Sequence, residues 1–298
     1  MRILLLGKNG QLGSELNKLL RSELDFIALD FPIIDLGDAD NLHKNFEHIK
    51  PEIIINAGAY TAVDKAEQEI DKAYSINAKG PGVLAELCRK HKAILIHYST
   101  DYVFDGKNGP YVETDEVSPL NEYGKSKLAG EKEIQSIGGD YIILRTSWVY
   151  NMKNNNFVTK VLQWARDKET IKIVDDQVSN PTLAFDLAQA TVTLLQMAGE
   201  DYQKWFEEKK GLYHLAGDGF ISRFGWAKKI LELDPQQDQQ IVKKILPVSS
   251  SLFSTPAGRP MFSALDCSKF LKTFGFKLPE WQRSLGFAMK TLSNFTEC

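Results

Sequence analysis

The sequence predicts an α/β protein with a doubly wound, Rossmann-like parallel sheet and a smaller C-terminal substrate-binding domain, and three observations predict it. Short apolar runs recur through the first half with amphipathic helical stretches between them, the first run ends in a glycine-rich turn, and the chain has 298 residues. That length exceeds an ordinary single domain but falls short of two large ones. Runs that are apolar throughout, rather than alternating, belong to strands covered on both faces, as in a parallel sheet.

The elements follow in order. Residues 2–6 form the first run, ending at Gly7, after which Leu12, Leu16, Leu19 and Leu20 recur at helical spacing. Later runs cover 26–29, closed by Asp30; 53–55, closed by Asn56 and Ala57; 93–98, closed by Ser99 and Thr100; and 141–144. These place a dinucleotide-binding domain over residues 1–150. Beyond it the pattern loosens into helices over 157–166 and 184–197, a strand over 171–174 and a loop over 249–260. Residues 151–298 read as mainly a substrate-binding region, some segments of which return to the first domain. It should lie above the carboxyl ends of the strands, where an open α/β sheet holds its ligand.

Composition excludes several classes of function. Apolar content of 43% and charged content of 25% are ordinary for a globular chain. A net charge of −3 with no local basic patch gives no attraction to nucleic acid or to a membrane surface. The opening apolar run is too short for a signal peptide or a membrane span, so a cytoplasmic protein is expected. Cys88, Cys267 and Cys298 are widely spaced and odd in number, which argues against disulfides and zinc and marks them as buried or terminal thiols. The five histidines are scattered without ligand spacing, so no metal is expected.

Between the first strand and first helix, Gly7-Lys8-Asn9-Gly10-Gln11-Leu12-Gly13 sets three glycines at a spacing of three. Glycine permits the tight turn and removes the Cβ that would keep a pyrophosphate from the helix N-terminus, where free N–H groups and the dipole favour an anion. Asp30, seventeen positions after Gly13, ends the second strand and is placed to accept hydrogen bonds from an adenosine ribose. Its charge would repel a 2′-phosphate, which favours NADH over NADPH. Asp35 and Leu36 fit the flanks of an adenine, and Ala57-Gly58-Ala59 offers small residues where a cofactor would run close to backbone.

Tyr123 and Lys127 form a Y-x-x-x-K pair whose spacing puts both on one helix face. A carbonyl that receives hydride at carbon must receive a proton at oxygen. A phenol with its ordinary pKa of about 10 is a reluctant partner at neutral pH unless a cation favours its ionised form, and Lys127 supplies that cation. The pair alone arises easily by chance; what lifts it is its position after the fourth strand, whose end carries Ser99 and Thr100, hydroxyls suited to hold the same carbonyl oxygen. They equally suit capping the chain where it leaves the sheet.

With these residues in place, the chain resembles, over essentially its whole length, the extended short-chain dehydrogenase/reductase family. The motifs that carry the resemblance are the glycine turn, residues 60–67 (YTAVDKAE), 97–104 (HYSTDYVF), 123–131 (YGKSKLAGE), 145–150 (RTSWVY) and 256–260 (PAGRP). The resemblance implies reduction of the 4-keto group of dTDP-4-dehydro-L-rhamnose, a dTDP-linked keto sugar, to dTDP-L-rhamnose for cell-surface polysaccharide. It implies Tyr123 as proton donor, Lys127 as its pKa modulator and ribose ligand, and Thr100 as donor to the carbonyl. Gly10, Gln11, Leu12, Asp30, Asp35, Leu36, Ala59, Tyr60 and Thr61 would line the cofactor. Thr100, Asp101 and Trp148 would face the sugar nucleotide, with Arg259 as a partner for its charge. Ala57-Gly58-Ala59-Tyr60 departs from the run of alanines and a histidine more usual there. Relatives are often described with NADPH, so both cofactors are expected. Some are described with Mg2+ at a dimer interface near the first helix, where Glu15 stands, equally an ordinary exposed helix residue; the sequence leaves that Mg2+ and a homodimer open. A dehydratase or epimerase would share fold and pair, but a dehydratase needs an acidic residue after Asp101, where this chain has Tyr102. A non-catalytic regulatory subunit of the same fold need not keep Thr100, Tyr123 and Lys127.

Overall fold

The chain, described over residues 1–22 and 25–296 by a computed structural model, folds around a six-stranded sheet; Cys298 lies outside the described residues. Its strands are β1 Ile3–Leu6, β2 Phe26–Leu29, β3 Ile53–Asn56, β4 Ile94–Thr100, β5 Asp140–Thr146 and a last strand Gly211–His214. The order is β2-β1-β3-β4-β5-last, every pair parallel, with Leu6 abreast of both Leu29 and Asn56. The doubly wound parallel sheet is as the sequence predicts. The last strand was not foreseen, because Gly211, Tyr213 and His214 break an apolar run. From β1 the chain crosses one way to β2 through helix α1 (Gln11–Leu20), then back past β1 to β3 through helix α2 (Ala39–Ile49). That reversal leaves a crevice at the carboxyl ends of β1 and β3, where Gly7 and Ala57 follow the strands.

The apolar runs lack alternation because both faces are covered. Ile3, Leu5, Ile53, Ile55, Ile94 and Ile96 face Leu12 and Leu16 of α1 and Leu187 and Leu194 of helix Ala184–Ala198. Leu4, Leu6, Ile54 and Leu95 face Leu42 and Phe46 of α2 and Leu84 and Leu87 of helix Gly80–His91. Helix Ala184–Ala198, helix Tyr202–Lys209, the last strand and helix Ser268–Phe274 thus all pack against the sheet although they follow residue 150. A separate core joins helices Phe157–Asp167, Arg223–Glu232 and Trp281–Thr296 through Val158, Val161, Trp226, Ile230, Leu285 and Met289. Cys88 is buried and Cys267 half-buried, both as free thiols that burial pushes up, Cys267 to about 12. Among the described residues no helix is long and apolar enough to cross a membrane.

Candidate active site

α1 opens at Gly10, which is extended and provides no side-chain cap, so the first amides of the helix are left facing the crevice. Gly7 has φ +81, and a Cβ there would lie 2.6 Å from the Gly58 backbone; a Cβ on Gly13 would lie 1.9 Å from the Gly7 carbonyl oxygen. These two glycines bring the turn, α1 and the strand-three loop together, while Gly10 keeps its floor open. A cavity of about 660 Å³ touches Gly7, Asp30, Asp35, Leu36 and Ala59. Through Gly7, Asp30, Gly58 and Ala59 it meets a second, of about 550 Å³, that reaches Gly10, Gln11, Leu12, Ala57, Thr61, Thr100, Asp101, Tyr123, Lys127 and Trp148. A third, of about 1070 Å³, joins the second at Tyr102 and Arg223 and is bounded by Arg259. Within this trough Gln11 Oε1 and Thr146 Oγ1 are buried with no partner from the chain. Orphaned buried acceptors, uncapped amides and a floor without side chains suit a dinucleotide.

Two residues expected on the cofactor side have partners within the chain. Asp30 Oδ2 accepts from the Asn9 N–H (2.7 Å) and Oδ1 from the Phe31 N–H (2.8 Å), so this carboxylate also fastens the glycine turn. Tyr60 lines neither of the two smaller cavities. Asn77 holds it on both sides, accepting from its N–H (2.8 Å) and donating to its C=O (3.0 Å), while the Lys72 ammonium sits over its ring at 5.6 Å.

The helix that carries Tyr123 and Lys127, Glu122–Ile137, begins at Asn121, whose side chain accepts from the Gly124 N–H (2.8 Å) and donates to the Gly258 carbonyl (2.6 Å). That cap puts Tyr123 in the first turn, edge-on to Tyr102 at 5.8 Å, and Lys127 one turn deeper. Burial pushes the Tyr123 phenol up, opposed by the Thr100 hydroxyl. The cation assigned to it from spacing is turned elsewhere: Lys127 Nζ donates to the Tyr98 carbonyl (2.7 Å) and meets His97 Nε2 (3.2 Å). Burial pushes Lys127 down to about 8, with the Glu131 charge opposing.

On the substrate side, Asp101 is 2% exposed and its carboxyl is taken by the chain itself. Oδ2 accepts from Ser263 (2.6 Å) and Ser179 (3.3 Å), and Oδ1 from Thr100 (3.3 Å), whose oxygen accepts the Tyr102 N–H (3.1 Å). Burial raises Asp101 to about 6 against the pull of the Ser263, Ser147 and Ser179 hydroxyls. It therefore holds Thr100 and ties two distant segments to β4, rather than standing free for a sugar. Trp148 has φ +41, a left-handed backbone that costs a non-glycine residue about 1–3 kcal/mol. Its ring lies against the Arg223 guanidinium at 3.6 Å and stacks on Trp226 at 5.5 Å. Arg223 has no carboxylate partner among the described residues, and burial lowers it to about 10. Arg259 instead pairs with Asp64 (2.7 Å), holding that carboxyl below its ordinary value. Sequence reasoning missed Asn56, His97, Ser179, Arg223 and Ser263. His97 sits in a quoted motif but carried no assignment, and the others have no local signal.

The family model of the RmlD substrate binding domain matches residues 1–294. The chain is 38% identical over 290 residues to the dTDP-4-dehydrorhamnose reductase of Aggregatibacter actinomycetemcomitans, covering 95% of this chain and 97% of the relative. A crystal structure of a dTDP-4-dehydrorhamnose reductase from Clostridium acetobutylicum superposes with a TM-score of 0.89 at 36% identity, covering 98% of this chain and 100% of that one. One from Bacillus anthracis, in complex with NADP, gives 0.85 at 34% identity and covers 100% of this chain and 99% of its own.

Proposed function

We propose, on the premise that the chain belongs to the RmlD substrate binding domain family, that it uses NADPH or NADH to reduce the 4-keto group of dTDP-4-dehydro-L-rhamnose to dTDP-L-rhamnose. The observation that carries this reading is that Thr100, Tyr123 and Lys127 line one cavity together with the glycine turn, and that this cavity joins the larger one at Tyr102 and Arg223. When bound, the nicotinamide supplies the hydride. Gly7, Gly10, Gln11 and Leu12 hold the pyrophosphate at the start of α1, Asp30 meets the ribose, and Asp35 and Leu36 flank the adenine. Ala57, Ala59 and Thr61 line the path to the reacting end.

Tyr123 Oη gives its proton to the developing alkoxide; burial keeps the phenol neutral, which is the form that can donate. Thr100 polarises the same oxygen once its hydroxyl turns from Asp101. Lys127 binds the nicotinamide ribose and, on losing a proton, restores the phenol. Trp148 faces the sugar. Arg223 and Arg259, both on the larger cavity, face the diphosphate, Arg223 being the cation without a carboxylate of its own. Residues 1–150 carry the cofactor and most of 151–298 the substrate, in a protein that works in the cytoplasm. Tyr102, which follows Asp101, offers no carboxylate base for dehydration.

The test is oxidation of NADPH, and separately NADH, on mixing with freshly generated dTDP-4-dehydro-L-rhamnose, with the product identified by NMR. Sugar-dependent oxidation yielding dTDP-L-rhamnose is expected. Demonstrable cofactor binding without turnover would overturn the reading in favour of a binding subunit.

A further inference from the structure

Lys127 lies at the end of a buried polar row that crosses two strands. Asn56 on β3, His97 on β4 and Lys127 on helix Glu122–Ile137 are 0%, 0% and 2% exposed. Asn56 and His97 are register neighbours. Asn56 Oδ1 accepts the Gly58 N–H (3.2 Å), Asn56 Nδ2 lies 3.1 Å from His97 Nδ1, and His97 Nε2 lies 3.2 Å from Lys127 Nζ. Gly58 belongs to the loop that borders both cofactor cavities.

Hydrogen-bond accounting fixes where the protons sit, although no proton is located directly. A backbone N–H can only donate, so Gly58 claims the oxygen of Asn56 and turns its NH2 group toward His97. Nδ1 of His97 is then an acceptor, and the neutral ring carries its proton on Nε2, facing Lys127. An Nε2–H can donate to Nζ only when the amine has a free lone pair. A charged Lys127 places N–H against N–H unless the ring changes tautomer and the Asn56 amide rotates, which deprives Gly58 of its acceptor. An ionised imidazole offers no escape, because burial and the Lys127 charge both hold His97 well below its ordinary value.

We propose that Asn56 and His97 are positioning residues that hold Lys127 ready to release a proton, by presenting it with a ring N–H whose placement is dictated by the Gly58 amide. The other groups around Lys127 do not supply this. Glu131, one turn along the same helix, is occupied by Arg145 of β5 (2.9 and 2.6 Å) and Ser99 of β4 (2.5 Å). The Tyr98 carbonyl only accepts. Ile143, the β5 residue abreast of His97, is apolar. The role rests on the assignment of Lys127 to proton transfer above, but the row can be read without turning over any substrate.

Two variants separate the proton logic from packing. Asn56→Asp keeps the shape but accepts from both Gly58 and His97, forcing the ring proton onto Nδ1 and leaving Nε2 to accept from the ammonium. His97→Gln keeps an acceptor without a ring proton. The measurement is a pH titration by NMR of the full chain with isotope-labelled lysine and histidine, following the Lys127 ε-carbon and the His97 ring nitrogens. In the unmodified protein the His97 proton should sit on Nε2 above the Lys127 midpoint and shift toward Nδ1 below it. Asn56→Asp should hold it on Nδ1 throughout and move the Lys127 midpoint upward by about one pH unit, a tenfold change in acidity; His97→Gln should move it the same way. A ring tautomer that ignores the Lys127 titration, or a Lys127 midpoint unmoved in whichever variant folds, overturns the proposal. Because no sugar nucleotide is present, failure here is distinct from failure of the reductase assay.

Discussion

On the side of the crevice proposed to take the cofactor, many of the residues lining the two smaller cavities fall within short stretches, 7–12, 30–36 and 57–61, each directly after a strand, and a few more come from 71–79. On the substrate side they are brought together across the chain. Asp101 binds Ser179, 78 positions away, and Ser263, 162 positions away, and Arg259 meets Asp64 across 195. The first side is a property of local backbone, the second of the completed fold. A change on the cofactor side should therefore alter one ligand's affinity, whereas a change on the substrate side should also alter how the second core sits on the sheet.

The largest effect is expected where the two sides meet. Tyr123→Phe removes the proposed proton donor and leaves the ring, so turnover should fall by about 10²–10⁴-fold while cofactor Kd stays unchanged. Steady-state kinetics beside a cofactor titration check this, and near-normal turnover would remove Tyr123 from the mechanism.

Asp101→Asn tests the claim that substrate-side residues carry folding energy. Burial lifts the carboxyl from its ordinary 3.8 to about 6, so the folded state holds this proton more tightly than the unfolded chain. Its contribution to stability is greatest at low pH and declines as pH rises from about 4 to about 6, by about 3 kcal/mol at 1.36 kcal/mol per unit. The variant lacks that decline, so the difference in unfolding free energy between variant and unmodified chain should move in the variant's favour across this window. Urea unfolding at several pH values reads it; a constant difference would show that Asp101 is ionised in both states over the window.

The same contrast explains what could be read from residues alone. The first five strands, the glycine turn and the Tyr/Lys pair are contiguous patterns whose period or spacing is itself the physical signal. The last strand joins the sheet only because β5 has an open edge, which a four-residue segment cannot announce. The polarity of Ser179 and Ser263 gives no hint that a buried carboxyl will claim them. Arg223 looks like any helix-start cation until Trp148 is folded against it. Spacing also placed Lys127 on the face of Tyr123 but could not foresee that its Nζ would turn to Tyr98 and His97, since both partners lie on the neighbouring strand.

Arg223→Lys sharpens the comparison at intermediate size. Lysine keeps the charge but loses the planar face that lies 3.6 Å from the Trp148 ring, an interaction of about 1–2 kcal/mol when shielded from water. KM for the sugar nucleotide should rise about tenfold with cofactor Kd unaltered. Equal loss for both ligands would mean that Arg223 braces the whole crevice.

The smallest effect should come from Asp30, and it bears most directly on how local the cofactor side is. The carboxylate borders the cavity proposed to take the adenosine ribose, and its oxygens fasten the Asn9 and Phe31 amides. Asp30→Asn removes the charge and one acceptor together. A partly exposed charge is worth about 0.2–1 kcal/mol, so relative affinity should shift toward NADPH by about two- to fivefold in paired titrations with the two cofactors. If both affinities fall in parallel with their ratio fixed, Asp30 acts through the turn it fastens, and cofactor choice is set by other residues of the trough.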